Sequence, residues 1–345
     1  MEPQRRLLWF RRMALAGALL AAAVVVLGAW VRLTDAGLGC PDWPGCYGHI
    51  YPKAGSADPQ SRFHFAKALH EMIHRYFATT LGVVVAGLLV WAVRFRNDRG
   101  QPLTAAVLAF FVVCVQGLLG ALTVTLLLKP LVVTAHLLGG LTTLGLLWWL
   151  SLAPDLRQAT ERETRLRQFA LLGLAVLIMQ IALGGWTSSN YAAVACPDLP
   201  TCQHSWWPQM DFRDAFVLWR GLGIDYEGGV LANSARTAIH FTHRLGAVMA
   251  GSVLLILGIT AARNRESRRA ATAGRLLVLA VVLQICIGMA TVLWGVPLVL
   301  ATLHNAGAAF LIISLVTLLR ALSPAAGSPA AAVGMVPLNR VHPAR

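Results

Sequence analysis

WVRLTDAGLGCPDWPGC, running from Trp30 to Cys46, lines up without a gap on WTSSNYAAVACPDLPTC, running from Trp186 to Cys202. The shift is 202 − 46 = 156, and Trp, Cys, Pro, Asp, Pro and Cys coincide. Working outward, HRYFATTLG at His74 meets HRLGAVMAG at His243, a shift of 243 − 74 = 169, and QGLLGALTV at Gln116 meets QICIGMATV at Gln284, a shift of 284 − 116 = 168. His136 and His304 keep that shift of 168. The second half therefore carries the longer loop. Periods of this length lie outside solenoid repeats, so the chain reads as two fused modules of similar design.

Composition sets the medium in which these modules fold. The chain is 57% apolar and only 13% charged, with a mean hydropathy of +0.63, against about 25% charged residues in ordinary soluble domains. Roughly 20 apolar residues cross a bilayer, and stretches of that kind cover 13–31, 68–93, 103–125, 131–152, 167–187, 237–262, 274–294 and 298–320. The expected fold is an all-α polytopic membrane protein, its eight transmembrane helices arranged as two pseudo-symmetric four-helix bundles. Residues 1–152 form the N-terminal module, 153–166 a cytoplasmic linker, 167–320 the C-terminal module and 321–345, rich in Ala, Pro and Gly, a flexible cytoplasmic tail.

Arginines cluster before the first span (Arg5, Arg6, Arg11, Arg12) and after the second (Arg94, Arg96, Arg99), fourth (Arg157, Arg162, Arg165, Arg167) and sixth (Arg263, Arg265, Arg268, Arg269, Arg275). The positive-inside rule then places both termini in the cytoplasm or its equivalent. The net charge of +14 is a topology signal, and nucleic acid is not an expected partner, because the arginines are scattered over short loops beside lipid. The first apolar stretch is longer than a signal-peptide core and is kept as a helix.

This topology puts loops 32–67 and 188–236 on the outer, oxidising side, where disulfides are permitted. Each holds a Cys pair with five residues between, and local bridges Cys40–Cys46 and Cys196–Cys202 are the leading reading. Thiol pairs that react in turnover are the alternative. Zinc is weaker, because the spacing is wrong for a knuckle and His49 and His204 are only loosely placed. Cys114 and Cys286 read as packing residues. In the second loop Phe212, Ala215, Phe216 and Trp219 recur at helical spacing, which suits an interfacial helix over 211–223; a loop tucked onto the helix ends suits the same residues.

Helices carrying His74, His136, His243 and His304 all enter from the outer side, and each histidine lies six or seven residues below its entry, ~10 Å down. A single buried His is more often a hydrogen-bonded core residue. Four at matched depth, paired by the duplication, point instead to two heme-iron sites held by facing helices within each module. Glu71 precedes His74 by three and shares its helix face. An ionisable group within a membrane segment is a functional candidate, and its equivalent in the second half is His240, so only one module carries a carboxylate beside its site. A di-iron bundle needs more carboxylates than these helices offer. Arg75 and Arg244, each following its histidine, either pair with heme propionates or snorkel to the interface.

VRLTDAGLGCPDWPGC, EMIHR in the second helix, QGLLGALTV, TAHLLGG around His136, FTHRLGAV and TLHNAGA around His304 together resemble the heme A synthase family across all eight helices. That resemblance implies an oxidoreductase that converts a porphyrin methyl group of heme O to the formyl group of heme A for cytochrome oxidase. It implies that Glu71 is the essential acid, that His74 and His136 bind the substrate heme, and that His243 and His304 are the axial ligands of a heme b cofactor. Cys40 and Cys46 resemble the first-loop pair of many bacterial members; Cys196 and Cys202 are less widely shared. Implied partners are the heme O-forming farnesyltransferase and proteins that insert heme A into cytochrome oxidase. The electron donor and oligomeric state, a homo-oligomer included, are not legible. A membrane di-heme b-type electron carrier needs the same four histidines but leaves Glu71 unexplained. A transporter is weaker still, because these repeats point the same way across the membrane.

Overall fold

The structure is a computed structural model, which describes residues 2–52, 62–153 and 159–323. The described residues form α1 (Pro3–Leu33), α2 (Arg62–Arg94), α3 (Leu103–Thr125), α4 (Pro130–Ser151), α5 (Glu161–Ser189), the one-turn α6 (Phe212–Ala215), α7 (Asn233–Ala262), α8 (Arg268–Leu293) and α9 (Leu298–Ala321). Among the described residues there is no strand. All of these helices except α6 are long and apolar enough to cross a membrane, eight in number. The chain is an all-helical, multi-pass membrane protein, as the hydropathy predicts.

Helix ends extend past the apolar stretches wherever caps allow. α5 begins six residues before its span, because Thr160 accepts from the Glu163 backbone N–H while the Glu163 carboxylate reaches back to the Thr160 N–H at 3.1 Å, a reciprocal cap. The last part of the expected 153–166 linker is therefore helix, and residues 154–158 lie outside the described residues. So does the expected tail beyond Ser323.

The expected interfacial helix at 211–223 is corrected. Asp211 caps a helix by accepting from the Asp214 N–H at 3.0 Å, but it ends at Ala215. Gly221 and Gly223 hold φ of +92° and +77°, which a right-handed helix cannot accommodate.

α1 packs on α2, α2 on α3, α3 on α4 and α4 back on α1; α5, α7, α8 and α9 close a second ring in the same way. Between the rings α9 meets α1 and α4, and α4 meets α5. Without a hydrophobic force between helices in lipid, close approach depends on small residues. Ala14, Ala18 and Ala21 are buried along α1, and a methyl added at Gly274 of α8 would lie 2.7 Å from the carbonyl oxygen of Gly258 on α7. Large apolar side chains such as Val83, Val90 and Phe111 face outward, where lipid rather than water receives them.

Contacts between the halves repeatedly join positions one repeat apart. Arg32 donates to the Ser188 carbonyl at 2.6 Å and Tyr191 donates to Asp35 at 2.7 Å, both across 156 residues. Arg320 donates to the Leu152 carbonyl at 3.3 Å across 168.

Candidate functional site

Each of the four histidines rests on a glycine of the preceding membrane helix. A Cβ built on Gly28 of α1 would meet His74 at 2.9 Å, one on Gly120 of α3 would meet His136 at 3.5 Å, one on Gly184 of α5 would meet His243 at 3.2 Å, and one on Gly288 of α8 would meet His304 at 2.9 Å. The glycines follow the repeat, at 184 − 28 = 156 and 288 − 120 = 168. An imidazole needs that missing side chain to lie inside its ring of helices.

His74 and His136 face each other edge-on, ring centres 6.5 Å apart. Two imidazoles bound to one metal ion through bonds of about 2 Å stand with ring centres roughly 6 Å apart. The Nδ1 atoms of His74, His136 and His304 are buried without a partner, an unusual state for buried polar nitrogens. His243 and His304 lie within electrostatic reach of each other. Among the described residues no three His, Cys, Asp or Glu side chains gather as a full ligand set. A donor set of paired imidazoles suits an iron whose other four ligands come from a porphyrin. Counted from the helix starts, His136 and His304 are 6 residues in, at 136 − 130 and 304 − 298, whereas His74 and His243 are 12 and 10 in, because α2 and α7 begin further out.

Glu71 is 4% exposed. Its carboxylate pairs with Arg75 and accepts the Cys40 backbone N–H at 2.9 Å. Arg75 also donates to the carbonyls of Asp42 at 2.9 Å and Gly45 at 2.6 Å. In the other half Arg244 donates to the carbonyls of Cys196 at 2.6 Å, Thr201 at 2.8 Å and Asp198 at 2.9 Å. Both arginines brace the cysteine loops against the helices below. His240 takes the place of Glu71, equally buried, its Nδ1 without a partner.

The cysteine pairs stand at disulfide distance, with Cα atoms 4.8 Å apart for Cys40–Cys46 and 4.6 Å for Cys196–Cys202. An aspartate organises each loop. Asp42 accepts from the Tyr47 and Gly48 N–H groups at 2.6 and 2.8 Å, and Asp198 from Gln203 and His204 at 2.7 and 3.0 Å. The Thr201 hydroxyl, then these backbone donors, hold the Asp198 carboxyl below its usual range. Cys114 and Cys286, expected in the packing, instead face outward from α3 and α8.

Sequence reasoning missed where the second outer loop goes. Lys129, 2% exposed, precedes α4, and its ammonium reaches the Gly221 carbonyl and lies 3.8 Å from the Trp219 ring centre. Tyr226 donates its backbone N–H to Leu127 at 3.1 Å, and Lys67 pairs with Glu227 at 3.1 Å. The loop of the second half is thus strapped onto the first, beside the helix start that leads to His136.

These features define a class: an all-helical, multi-pass membrane protein with imidazoles drawn together inside its helix rings and braced cysteine loops above them. Within that class the chain belongs to the cytochrome oxidase assembly protein family (COX15-CtaA), whose model matches residues 11–316. It is 42% identical over 327 residues to the heme A synthase of Shewanella oneidensis, covering 91% of this chain and 96% of that protein. It is 30% identical over 267 residues to the heme A synthase of Symbiobacterium thermophilum, covering 74% and 76%. For that of Shouchella clausii the figures are 27% over 310 residues, 86% and 90%.

Proposed function

We propose that the chain is a heme A synthase, oxidising one porphyrin methyl of heme O through the alcohol and gem-diol to the formyl group of heme A. The observation that carries this reading is the edge-on pair His74 and His136, ring centres 6.5 Å apart, with Glu71 on the same helix face as His74. Substrate heme O lies between those two imidazoles in the first ring. Glu71, three residues toward the outer surface, takes up or relays the protons released as the methyl carbon is oxidised. Arg75 pairs with it and the Cys40 N–H fixes its direction.

His243 and His304 would hold a resident heme b in the second ring, and that group, when bound, would supply electron transfer between the modules. His240 cannot serve as a carboxylate base, so the halves differ in chemistry while sharing a frame. The contacts of Arg32 with Ser188 and Arg320 with Leu152 support two pseudo-symmetric modules, 1–152 and 167–320. Both termini lie in the cytoplasm, so the cysteine loops face outward. The partners are the farnesyltransferase that forms heme O and the proteins that load heme A into cytochrome oxidase.

The test is to make the protein beside a heme O-forming enzyme and resolve the extracted hemes. Heme A from wild type, its loss with heme b retained in His74→Ala, and loss of heme b in His243→Ala support the assignment. Heme b without heme A from wild type, with heme O and reductant present, contradicts it in favour of an electron carrier.

A further inference from the structure

We infer that Gln180 and Gln284 are positioning residues that tether the two histidines of the second ring, and that the missing tether on His74 makes it the imidazole that yields in the first. The inference rests on the site assignment above. Gln180 Nε2 donates to the His243 backbone carbonyl at 3.1 Å and lies 3.0 Å from its Nδ1. Gln284 Nε2 likewise donates to the His304 backbone carbonyl at 3.0 Å and lies 3.3 Å from the other kind of ring nitrogen, Nε2. Each glutamine stands one turn before the glycine beneath its histidine, Gln180 before Gly184 and Gln284 before Gly288. The glycine makes room for the imidazole and the amide grips it.

The first ring keeps the room and loses the side-chain grip at one of its two histidines. Gln116 stands one turn before Gly120 and meets Gly139 as Gln284 meets Gly307, its amide turned the other way, so His136 keeps a glutamine beside it. On α1 the residue equivalent to Gln180, at 180 − 156 = 24, is Val24. His74 therefore rests on Gly28 with no side-chain amide beside it, only the Val24 backbone carbonyl. When a metal takes one ring nitrogen the other keeps its proton and needs an acceptor, which the glutamine supplies by turning its amide so that Oε1, now buried and unpartnered, replaces Nε2 at the ring. Such partners fix ring orientation and strengthen the hold on a metal. A site for a resident cofactor gains from the tether, whereas a site that admits a substrate and releases a product needs one imidazole free to swing.

The test exchanges the two side chains. The second ring is read in full-length protein made without a heme O-forming enzyme, and the first in a His243→Ala background loaded with heme O. Carbon monoxide binding to the reduced protein and heme retention against an apo-globin are measured for each. Gln180→Val is expected to open the second-ring heme to carbon monoxide and weaken its retention ~10–100-fold. Val24→Gln is expected to suppress carbon monoxide uptake in the first ring ~10-fold or more. Unchanged binding and retention in both variants overturn the tether and leave the glutamines as packing. Should Gln180→Val fail to accumulate, unchanged uptake in Val24→Gln alone overturns it. Heme b retained by a His243→Ala, His304→Ala double variant would sink the underlying site assignment instead.

Discussion

The backbone N–H of Cys40 donates to Glu71 Oε2 at 2.9 Å, so the first cysteine loop and the buried carboxylate are one structural unit. The second loop has no such link, since His240 stands where Glu71 would. The two disulfides should therefore differ in consequence. Replacing Cys196 and Cys202 by Ser costs about 2 kcal/mol of stability and leaves heme A formation near wild type. Replacing Cys40 and Cys46 costs a similar amount and also lowers turnover, because the carboxylate loses its fixed direction. Thermal unfolding and heme A yield, measured on both variants, separate the two effects.

The glycines beneath the histidines predict a graded series. An alanine methyl at Gly28 or Gly288 would lie 2.9 Å from an imidazole carbon, and one at Gly120 would lie at an ordinary 3.5 Å. Gly288→Ala should weaken heme b retention and Gly28→Ala should reduce heme A formation, whereas Gly120→Ala should be nearly silent. Heme content per protein, by pyridine hemochrome, reads the series. Equal effects at all three positions would contradict the packing argument.

Lys129 carries the strap between the halves. Its buried ammonium is held by the Gly221 carbonyl and the face of Trp219, a desolvated cation–π contact worth about 2 kcal/mol. Lys129→Met should release residues 216–230 and speed their cleavage by added protease by about tenfold or more. Cleavage at the wild-type rate would show that other contacts hold the loop.

Acid should loosen the second cysteine loop before it unfolds the helices. The folded Asp198 carboxyl lies below its unfolded value, so its contribution is complete above about pH 3.9 and is lost as pH falls through the lower folded value. Hydrogen exchange at Gln203 and His204, whose amides it accepts, should rise steeply below that point. Asp198→Asn should exchange faster at neutral pH and show no further step.

The eight spans, the paired histidines and Glu71 were legible because lipid demands long apolar runs, duplication aligns His74 with His243 and His136 with His304, and a carboxylate stands out among apolar neighbours. The glycines beneath those histidines obey the same offsets, but a glycine has no chemistry of its own to single it out. The partners of Arg75 and Arg244 were hidden because they are backbone carbonyls, which every residue has. The short α6 could have been read from Gly221 and Gly223, which interrupt the periodicity begun at Phe212. Where the rest of that loop docks could not, since Lys129 and Gly221 meet only once both halves are folded together.

The central claim is that Glu71 acts on a substrate heme held beside it. Wild type and Glu71→Gln should each be made with a heme O-forming enzyme, and their hemes extracted and resolved by chromatography and mass. The account predicts heme A from wild type, and from the variant heme b at full occupancy with heme A lowered ~10²–10⁴-fold. Heme A at wild-type yield from Glu71→Gln would contradict it.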